Sequence, residues 1–177
     1  MAAIVALLAI VAILLLVVWR QRRQLAVLAA ESRHDPLTGL PNRRALKRHW
    51  AAMPATPGLI LIDLVGFKAV NDHHGHIVGD ALLRQVAGRL DAAVAPPGLL
   101  CRWGGDEFAA LVPADALPPL PRRLQQALAH PFDLSASGGP AHVIISARTG
   151  LASGGNSLAA AEQAAAKALL SAKNPSP

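Results

Sequence analysis

Residues 99–112 read LLCRWGGDEFAALV, and this stretch decides the fold. Two apolar runs, Leu99–Trp103 and Phe108–Val112, stand on either side of the Gly104-Gly105 pair. Apolar runs that flank a glycine pair predict two antiparallel strands joined by a tight turn. Because Asp106-Glu107 follows the glycines directly, the predicted hairpin carries two carboxylates at its turn.

A third carboxylate follows another predicted strand. Leu59–Ile62 is a short, continuous apolar run that is typical of a buried strand, and Asp63 comes directly after it. If this strand is a neighbour of the hairpin, Asp63 lies close to Asp106 and Glu107. Two such charges about 4 Å apart repel each other by roughly 4 kcal/mol at an effective dielectric constant of about 20. A proton or a divalent cation would relieve that repulsion, and oxygen ligands suit Mg²⁺ or Mn²⁺. A solvated acidic turn is the alternative interpretation.

The remaining elements predict an α+β protein. Asn42 fits the N-cap of a helix that ends near Met53. Two further helices are expected over Phe67–Asp72 and Ala81–Val94, the second from apolar positions at helical spacing. After the hairpin we expect a helix over Leu120–Ala129, a strand over His142–Ala147 and a helix over Ser157–Leu170. This order of elements predicts a central, mostly antiparallel sheet flanked by helices.

The chain begins with an apolar segment. Met1–Trp19 carries no charged residue, and as a helix it would span roughly 28 Å, close to the hydrocarbon thickness of a bilayer. A tryptophan ends the run, and three arginines follow it within four residues. We therefore expect a transmembrane helix over 1–19, a basic juxtamembrane helical linker over 20–34 and a folded cytoplasmic domain over 35–177. A cleaved signal peptide is the alternative, but neither a charged segment before the run nor a small-residue cleavage site after it is clear.

The net charge of +6 is confined to one segment. Between Arg20 and Arg48 eight Lys and Arg side chains stand against two acidic ones, so the rest of the chain is balanced. A protein that binds nucleic acid more often spreads a basic face over its folded domain. We therefore expect no nucleic-acid partner.

Cysteine and histidine give little support for a zinc site. Cys101 is the only cysteine, which excludes an internal disulfide framework and a zinc site with several thiolates. His73 and His74 are adjacent and diverge at a predicted helix end, and no carboxylate or cysteine frames them with His76. A solvated loop with one structural histidine is therefore favoured over a zinc site.

Four blocks of sequence stand at fixed distances from one another. They are Asp35–Arg44 (DPLTGLPNRR), Asp63 with Phe67-Lys68 and Asn71-Asp72, Gly75-His76 with Gly79-Asp80, and Arg102–Phe108 (RWGGDEF). These blocks resemble the GGDEF family of diguanylate cyclases, and the spacings between them match that family without gaps. A weaker resemblance continues beyond the blocks, so that residues 32–174 are covered in all. The resemblance implies a domain related to the palm of polymerases and to nucleotidyl cyclases.

The resemblance also implies a reaction. Two facing subunits would each hold one GTP and join the two into cyclic di-GMP, with release of two pyrophosphates. Asp63 and Asp106, with the backbone carbonyl of Leu64, would hold Mg²⁺ or Mn²⁺. Glu107 would assist the metal or deprotonate the attacking 3′-hydroxyl.

Guanine recognition is implied for Asn71 and Asp80. Guanine presents N1–H and N2–H₂ donors beside an O6 acceptor. A carboxylate accepts hydrogen bonds from the donors, whereas a carboxamide can accept from the donors or donate to the acceptor. Adenine lacks the N1 donor, which would leave buried groups unsatisfied at roughly 1–3 kcal/mol each. The other predicted contacts with substrate are Phe67, Gly104, Gly105 and Lys173. Lys68 is predicted among the catalytic residues, where it would add positive charge near the phosphates.

The final helix departs from the family pattern. The family's Asp, Tyr and Lys positions correspond to Glu162, Ala166 and Leu169, and its closing Gly-Arg-Asn corresponds to Ala172–Asn174. The missing lysine and the change of Arg to Lys remove phosphate contacts, since Lys cannot reproduce a bidentate fork. We therefore expect weaker GTP binding.

Three other departures lie nearer the site. Val65 stands where a second acidic residue is usual, and Arg148–Gly150 stands for the family's late-strand Ser-Ile-Gly. The family's Arg-x-x-Asp motif for product inhibition would fall at Ala95 and Gly98, where it is missing. We therefore expect no product feedback through that site.

The leading expectation is a diguanylate cyclase that acts as a homodimer, uses Mg²⁺ or Mn²⁺, and is held at the inner membrane by its N-terminal helix. The alternative is that the protein is not an enzyme but a catalytically silent module that binds GTP or docks another protein. The departures in the final helix motivate that alternative.

Overall fold

A computed structural model describes residues 2–31, 33–53, 56–155 and 157–173. The chain divides into two compact units, Met1–Ser32 and Arg33–Pro177. Asn174, which the resemblance aligns with the last residue of the family's closing Gly-Arg-Asn, lies outside the described residues.

The first unit is one helix, α1, over Ala2–Glu31. Its described large apolar side chains, which lie between Ile4 and Trp19, are 44% to 65% exposed. Within the described residues, no helix is both long enough and apolar enough to cross a bilayer. The predicted transmembrane helix over 1–19 is therefore not supported by the structure, and α1 continues past the apolar run through three arginines without a break.

The described residues of the second unit form four strands and four α-helices. Asn42 caps the first of these helices, as predicted, because its Oδ1 accepts hydrogen bonds from the backbone N–H groups of Arg44 and Ala45 at 3.0 and 3.2 Å. Two short 3₁₀ turns lie at Ala114–Ala116 and Ser135–Ser137. The elements are α2 (Arg43–Ala52), β1 (Pro57–Val65), α3 (Phe67–Val94), β2 (Leu99–Gly104), β3 (Glu107–Pro113), α4 (Leu120–Leu128), β4 (Ser146–Ser153) and α5 (Leu158–Lys173).

The strands form an antiparallel sheet in the order β2-β3-β1-β4. β1 lies inside the sheet, paired with β3 up to Asp63 opposite Glu107 and with β4 up to Val65 opposite Ser146. A strand that is covered on both faces needs a continuous apolar run, which β1 has. The predicted α+β fold with an antiparallel sheet flanked by helices is confirmed.

Two apolar clusters cover the two faces of the sheet. Ile60 and Ile62 pack on one face with residues of α3 and α4 such as Leu90. Leu59 and Leu61 point to the other face, where they pack with residues of α2 and α5. Side chains along a strand alternate between faces, so each cluster takes every second residue of β1.

The two helices predicted over Phe67–Asp72 and Ala81–Val94 are both present, as two helical segments of α3 that meet at a kink. The second segment begins a few residues before the predicted Ala81. Gly75 is non-helical at the kink, with a φ of 79° and a ψ of 166°. This left-handed φ favours glycine, and the kink allows the first turns of α3 to fold back against the rest.

The strand predicted over His142–Ala147 is also displaced. β4 covers Ser146–Ser153 instead, in register with β1. Val143 and Ile145 are buried, but Val143 makes only an isolated bridge with Phe132. The first four residues of the predicted strand therefore lie in a loop that packs onto the core.

Candidate nucleotide and metal site

Acidic residues meet where β1 ends beside the hairpin of β2 and β3. Asp63 lies directly opposite Glu107 in the β1–β3 pair. The backbone N–H of Leu64 donates to the carbonyl oxygen of Asp106 at 3.4 Å. The four predicted metal and catalytic positions at this edge are therefore neighbours, because β1 and the hairpin are adjacent in the sheet.

A lysine from α5 occupies this edge as well. The Lys173 ammonium donates to Asp63 Oδ1 at 2.9 Å, and their side chains are 33% and 13% exposed. The sequence predicted Lys173 as a contact for substrate phosphate, whereas the structure pairs it with the carboxylate predicted to bind metal. No local pattern could show this pair, since the two residues are 110 positions apart.

The donors fit a divalent cation in chemistry but do not form a closed cluster. In the described part of the chain, no three His, Cys, Asp or Glu side chains are arranged around a common point that could hold a metal. The carboxylate of Asp63 already attracts one cation, the ammonium of Lys173. The oxygen donors of Asp63, Leu64 and Asp106 are of the kind that Mg²⁺ and Mn²⁺ prefer, so these residues fit such an ion.

The histidine segment contains no metal cluster among the described residues. His73 Nδ1 lies 2.7 Å from the carbonyl oxygen of Ala69, one turn earlier in α3. The rings of His73 and His74 are 6.3 Å apart and exposed to solvent.

Arg102 fixes the turn that carries the two glycines. Its guanidinium donates to both Asp35 carboxylate oxygens, at 3.0 and 3.2 Å, and to the carbonyl oxygen of Gly105 at 3.0 and 2.7 Å. Gly105 adopts a left-handed φ of 55°, which glycine tolerates without a steric cost. Asp35 and Arg102 both belong to the motif blocks, but the motifs alone indicated no role for either.

Asp35 is held as a carboxylate by this network. Burial by itself raises the pKa of Asp35, but hydrogen bonds from the Thr38 hydroxyl and backbone N–H, together with the Arg102 guanidinium, outweigh it. The pKa of Asp35 therefore lies below its ordinary value. The ion pair with Arg102 is formed over the neutral pH range.

The residues predicted to read guanine lie on α3, on both sides of its kink. Asn71 precedes Gly75, and Asp80 follows it. The Asn71 side chain folds back onto Gly79, the neighbour of Asp80. Phe67, predicted as a substrate contact, is 7% exposed and belongs to the core, while Lys68 beside it is exposed.

A pocket of about 300 Å³ lies between α5 and the hairpin. Ala166 and Leu169, which stand at the family's Tyr and Lys positions, line it. Lys173 and Glu107 also line it, so this pocket adjoins the Asp63–Lys173 ion pair. Leu169 therefore lines this pocket at the position where the resemblance implies a lysine in contact with phosphate.

A second pocket, of about 410 Å³, is lined by residues from the start of α2 and from the turn of the hairpin. Arg43 lines it, stacked over the Trp103 ring at 4.2 Å and paired with Glu162 at 2.7 Å. No role was predicted for Arg43 or Trp103, although each lies in one of the four motif blocks.

The position of the absent Asp in the Arg-x-x-Asp motif is tightly packed. A Cβ at Gly98 would lie 2.7 Å from Val94 Cγ1 and 2.9 Å from the carbonyl oxygen of Ala95. The chain therefore lacks both side chains of the motif and has no room for the second.

The fold and the site together define a GGDEF-type α+β domain. The family model described as "Diguanylate cyclase, GGDEF domain" matches residues 32–176. The chain belongs to the GGDEF family.

Sequence relatives include larger signalling proteins. The chain is 40% identical over 144 residues to the "Bifunctional diguanylate cyclase/cyclic di-GMP phosphodiesterase MucR" of Pseudomonas aeruginosa, which covers 75% of this chain and 20% of MucR. It is 39% identical over 103 residues to the "Probable diguanylate cyclase DgcE" of Escherichia coli, covering 54% of this chain and 9% of DgcE. The chain thus spans a fifth or less of these two relatives.

Solved structures match over more of the chain. Diguanylate cyclase SiaD of Pseudomonas aeruginosa, solved with its activator SiaC, has a TM-score of 0.71 and 30% identity, covering 94% of this chain and 68% of SiaD. The coiled coil and GGDEF domain of DgcB from Caulobacter crescentus, solved with c-di-GMP, has a TM-score of 0.70 and 28% identity, covering 94% of each chain.

Proposed function

We propose that this chain is a diguanylate cyclase that condenses two GTP into cyclic di-GMP. Each 3′-oxygen attacks the α-phosphorus of the other GTP, so two P–O bonds form, two break and two pyrophosphates leave. The observation that carries the proposal is Asp63 directly opposite Glu107, beside the Gly104-Gly105 turn. Family membership and the likeness to the DgcB and SiaD structures support it.

The guanine base is recognised by Asn71 and Asp80. The Asp80 carboxylate accepts from N1–H and N2–H₂, and Asn71 supplies the complementary hydrogen bond. Asp80 is half-buried, so an adenine that offered no N1 donor would leave its carboxylate poorly satisfied.

The triphosphate lies at the hairpin edge. Gly104 and Gly105 have no neighbouring atoms within 4 Å of a Cβ position, so the turn leaves room for a phosphate. Asp63, Asp106 and the Leu64 carbonyl would hold Mg²⁺ or Mn²⁺. When bound, such an ion stabilises the charge on the α-phosphoryl group and on the leaving pyrophosphate. Lys173 and Lys68 add positive charge, and Glu107 accepts the proton of the attacking 3′-hydroxyl.

A homodimer follows from the chemistry of the product. One domain offers one set of guanine-reading and acidic residues, whereas cyclic di-GMP contains two equivalent phosphodiester bonds. Two copies that face each other with their hairpin edges supply both GTP molecules in the required orientation.

The test is direct. The full chain is incubated with GTP and Mg²⁺ or Mn²⁺, and cyclic di-GMP and pyrophosphate are measured by chromatography. We expect both products, and we expect Asp106→Asn to abolish them. Asp115→Asn, which changes an exposed aspartate of the Ala114–Ala116 turn, is the matched control and should keep wild-type turnover. No product at concentrations where the chain is dimeric would reject the proposal.

A silent GTP-binding module is the second candidate function. Two features favour it: Leu169 lines the pocket at the position where the resemblance implies a phosphate-binding lysine, and Lys173 is paired with Asp63. Calorimetry that shows GTP binding by the dimer without any product would establish this candidate, and product formation would exclude it.

Location at the inner membrane is a separate proposal. It rests on the uncharged run Met1–Trp19 and on the exposed apolar side chains of that run. Fractionation of bacterial cells that express the full chain tests it. Recovery of the chain in the membrane pellet after a carbonate wash supports it, and recovery in the supernatant rejects it.

A further inference from the structure

Gly79 lies against the side chain of Asn71. A Cβ at Gly79 would lie 1.9 Å from Asn71 Oδ1, 3.0 Å from Asn71 Cγ and 3.4 Å from Phe67 Cζ. Its φ is not positive, so the backbone conformation does not require glycine there. Glycine is needed at this position because the Asn71 carboxamide takes the space that a side chain would fill.

The Asn71 carboxamide places its oxygen against Gly79. Asn71 Oδ1 is buried and has no hydrogen-bond partner among the described residues. A carboxamide has one acceptor and one donor atom, so an Oδ1 that is turned against Gly79 leaves Nδ2 as the polar atom available to a ligand. Leaving a buried oxygen unpaired costs free energy, so a hydrogen bond from Nδ2 to a ligand matters more at this position.

We propose that Gly79 is a positioning residue that determines base specificity, by holding the Asn71 carboxamide with Nδ2 towards a purine 6-oxo group. An N–H donor in that place pairs with the O6 of guanine or hypoxanthine. It opposes the 6-amino group of adenine, which is also a donor. This inference rests on the proposed binding of GTP, and it concerns binding rather than turnover.

The test compares nucleotide affinities of full-length variants by calorimetry, with GTP, inosine triphosphate and ATP as the probes. In Gly79→Ala we expect GTP and inosine triphosphate to bind about tenfold more weakly, because the displaced carboxamide loses its hydrogen bond to O6. ATP affinity should change little, so the ratio of GTP to ATP affinity falls. A purely structural defect would lower all three affinities together.

Gly88→Ala is the matched control. Gly88 lies in the same helix, and a Cβ there meets nothing within 4 Å. This variant should keep the wild-type affinities and their ratio.

A double variant separates the Asn71 contact from any other role of Gly79. In an Asn71→Ala background the space beside Gly79 is empty, so adding Gly79→Ala should change neither folding nor the affinity ratio. If Gly79→Ala does not fold but the double variant does, the contact with Asn71 is the reason and the proposal stands. An unfolded double variant beside a folded Asn71→Ala would overturn it, and so would an unchanged GTP to ATP ratio in a folded Gly79→Ala.

The product assay is run on the same preparations. Wild-type chain that prefers GTP over ATP but forms no cyclic di-GMP would reject the cyclase function and leave the role of Gly79 intact. Wild-type chain without a preference for 6-oxo purines would overturn the role of Gly79, whatever the product assay shows.

Discussion

The Nζ atom of Lys173 lies 2.9 Å from Oδ1 of Asp63, which joins the last described residue of α5 to the end of β1. An ammonium and a divalent cation compete for one carboxylate when they approach it from the same side. The ion pair therefore couples the end of α5 to the residues proposed to bind metal and triphosphate.

Removing the lysine charge should change metal and GTP binding in opposite directions. In Lys173→Met we expect free Mn²⁺ to bind about fivefold more tightly, because a partly exposed ion pair worth about 1 kcal/mol no longer competes. GTP should bind more weakly, since a positive charge near the triphosphate is lost. Calorimetric titrations measure both, with the exposed Lys167→Met as control. Equal Mn²⁺ affinities in Lys173→Met and wild type would contradict the competition.

The Asp35–Arg102 pair should contribute stability that depends on pH. At pH 7 we expect Asp35→Asn to lower the free energy of unfolding by about 2 kcal/mol, because Arg102 loses a charged partner. The pKa of folded Asp35 is below its unfolded value, so this contribution is present above about pH 4 and is lost as the pH falls through the folded pKa. Urea unfolding at pH 7 and pH 3 tests this, and the two proteins should differ less at pH 3. A difference that stays constant between these pH values would contradict the assignment.

Gly150 should be intolerant of any side chain. A Cβ there would lie 2.1 Å from the carbonyl oxygen of Ala165 and 2.5 Å from the backbone nitrogen of Leu169. Because backbone atoms of α5 cannot yield as a side chain can, we expect Gly150→Ala to lose about 3 kcal/mol of stability. Gly88→Ala should instead gain up to about 1 kcal/mol, since it adds a helix-favouring residue in open space. Thermal unfolding that ranks the two variants in the reverse order would refute this close approach.

Cys101 should be inert in the folded protein. It is fully buried between the sheet and its helices, and burial raises the pKa of its thiol to about 12. Because the thiolate is the reactive form, a thiol reagent at pH 8 should label Cys101 only after the protein unfolds. Labelling in native buffer that is as fast as labelling in denaturant would show that this burial is wrong.

Product should not inhibit the proposed enzyme through the Arg-x-x-Asp position. Ala95 and Gly98 carry neither side chain of that motif, and the space at Gly98 is filled by Val94 and Ala95. We expect initial rates of GTP turnover to be the same with and without micromolar cyclic di-GMP. Potent inhibition that higher GTP cannot overcome would contradict this prediction.

Much of the fold could be predicted because its signals are local. A glycine pair between two apolar runs indicates the hairpin, and Asn42 before an amphipathic segment indicates a capped helix. Local signals failed where tertiary contacts imitate or override them. Val143 and Ile145 are buried by packing onto the core from a loop, and β4 begins only where β1 is available for pairing.

The sequence by itself determined which chemistry this protein can offer: the acidic turn, the aspartate after the apolar strand, the spacing of Asn71 and Asp80, and the family to which they belong. These are matters of residue type and short separation, which secondary structure and motif spacing preserve. Only the tertiary structure decided that Lys173 meets Asp63, that Arg102 meets Asp35 across 67 positions, and that Asn71 folds onto Gly79. Such contacts depend on how distant helices pack against the sheet, and no local preference of the chain specifies that packing.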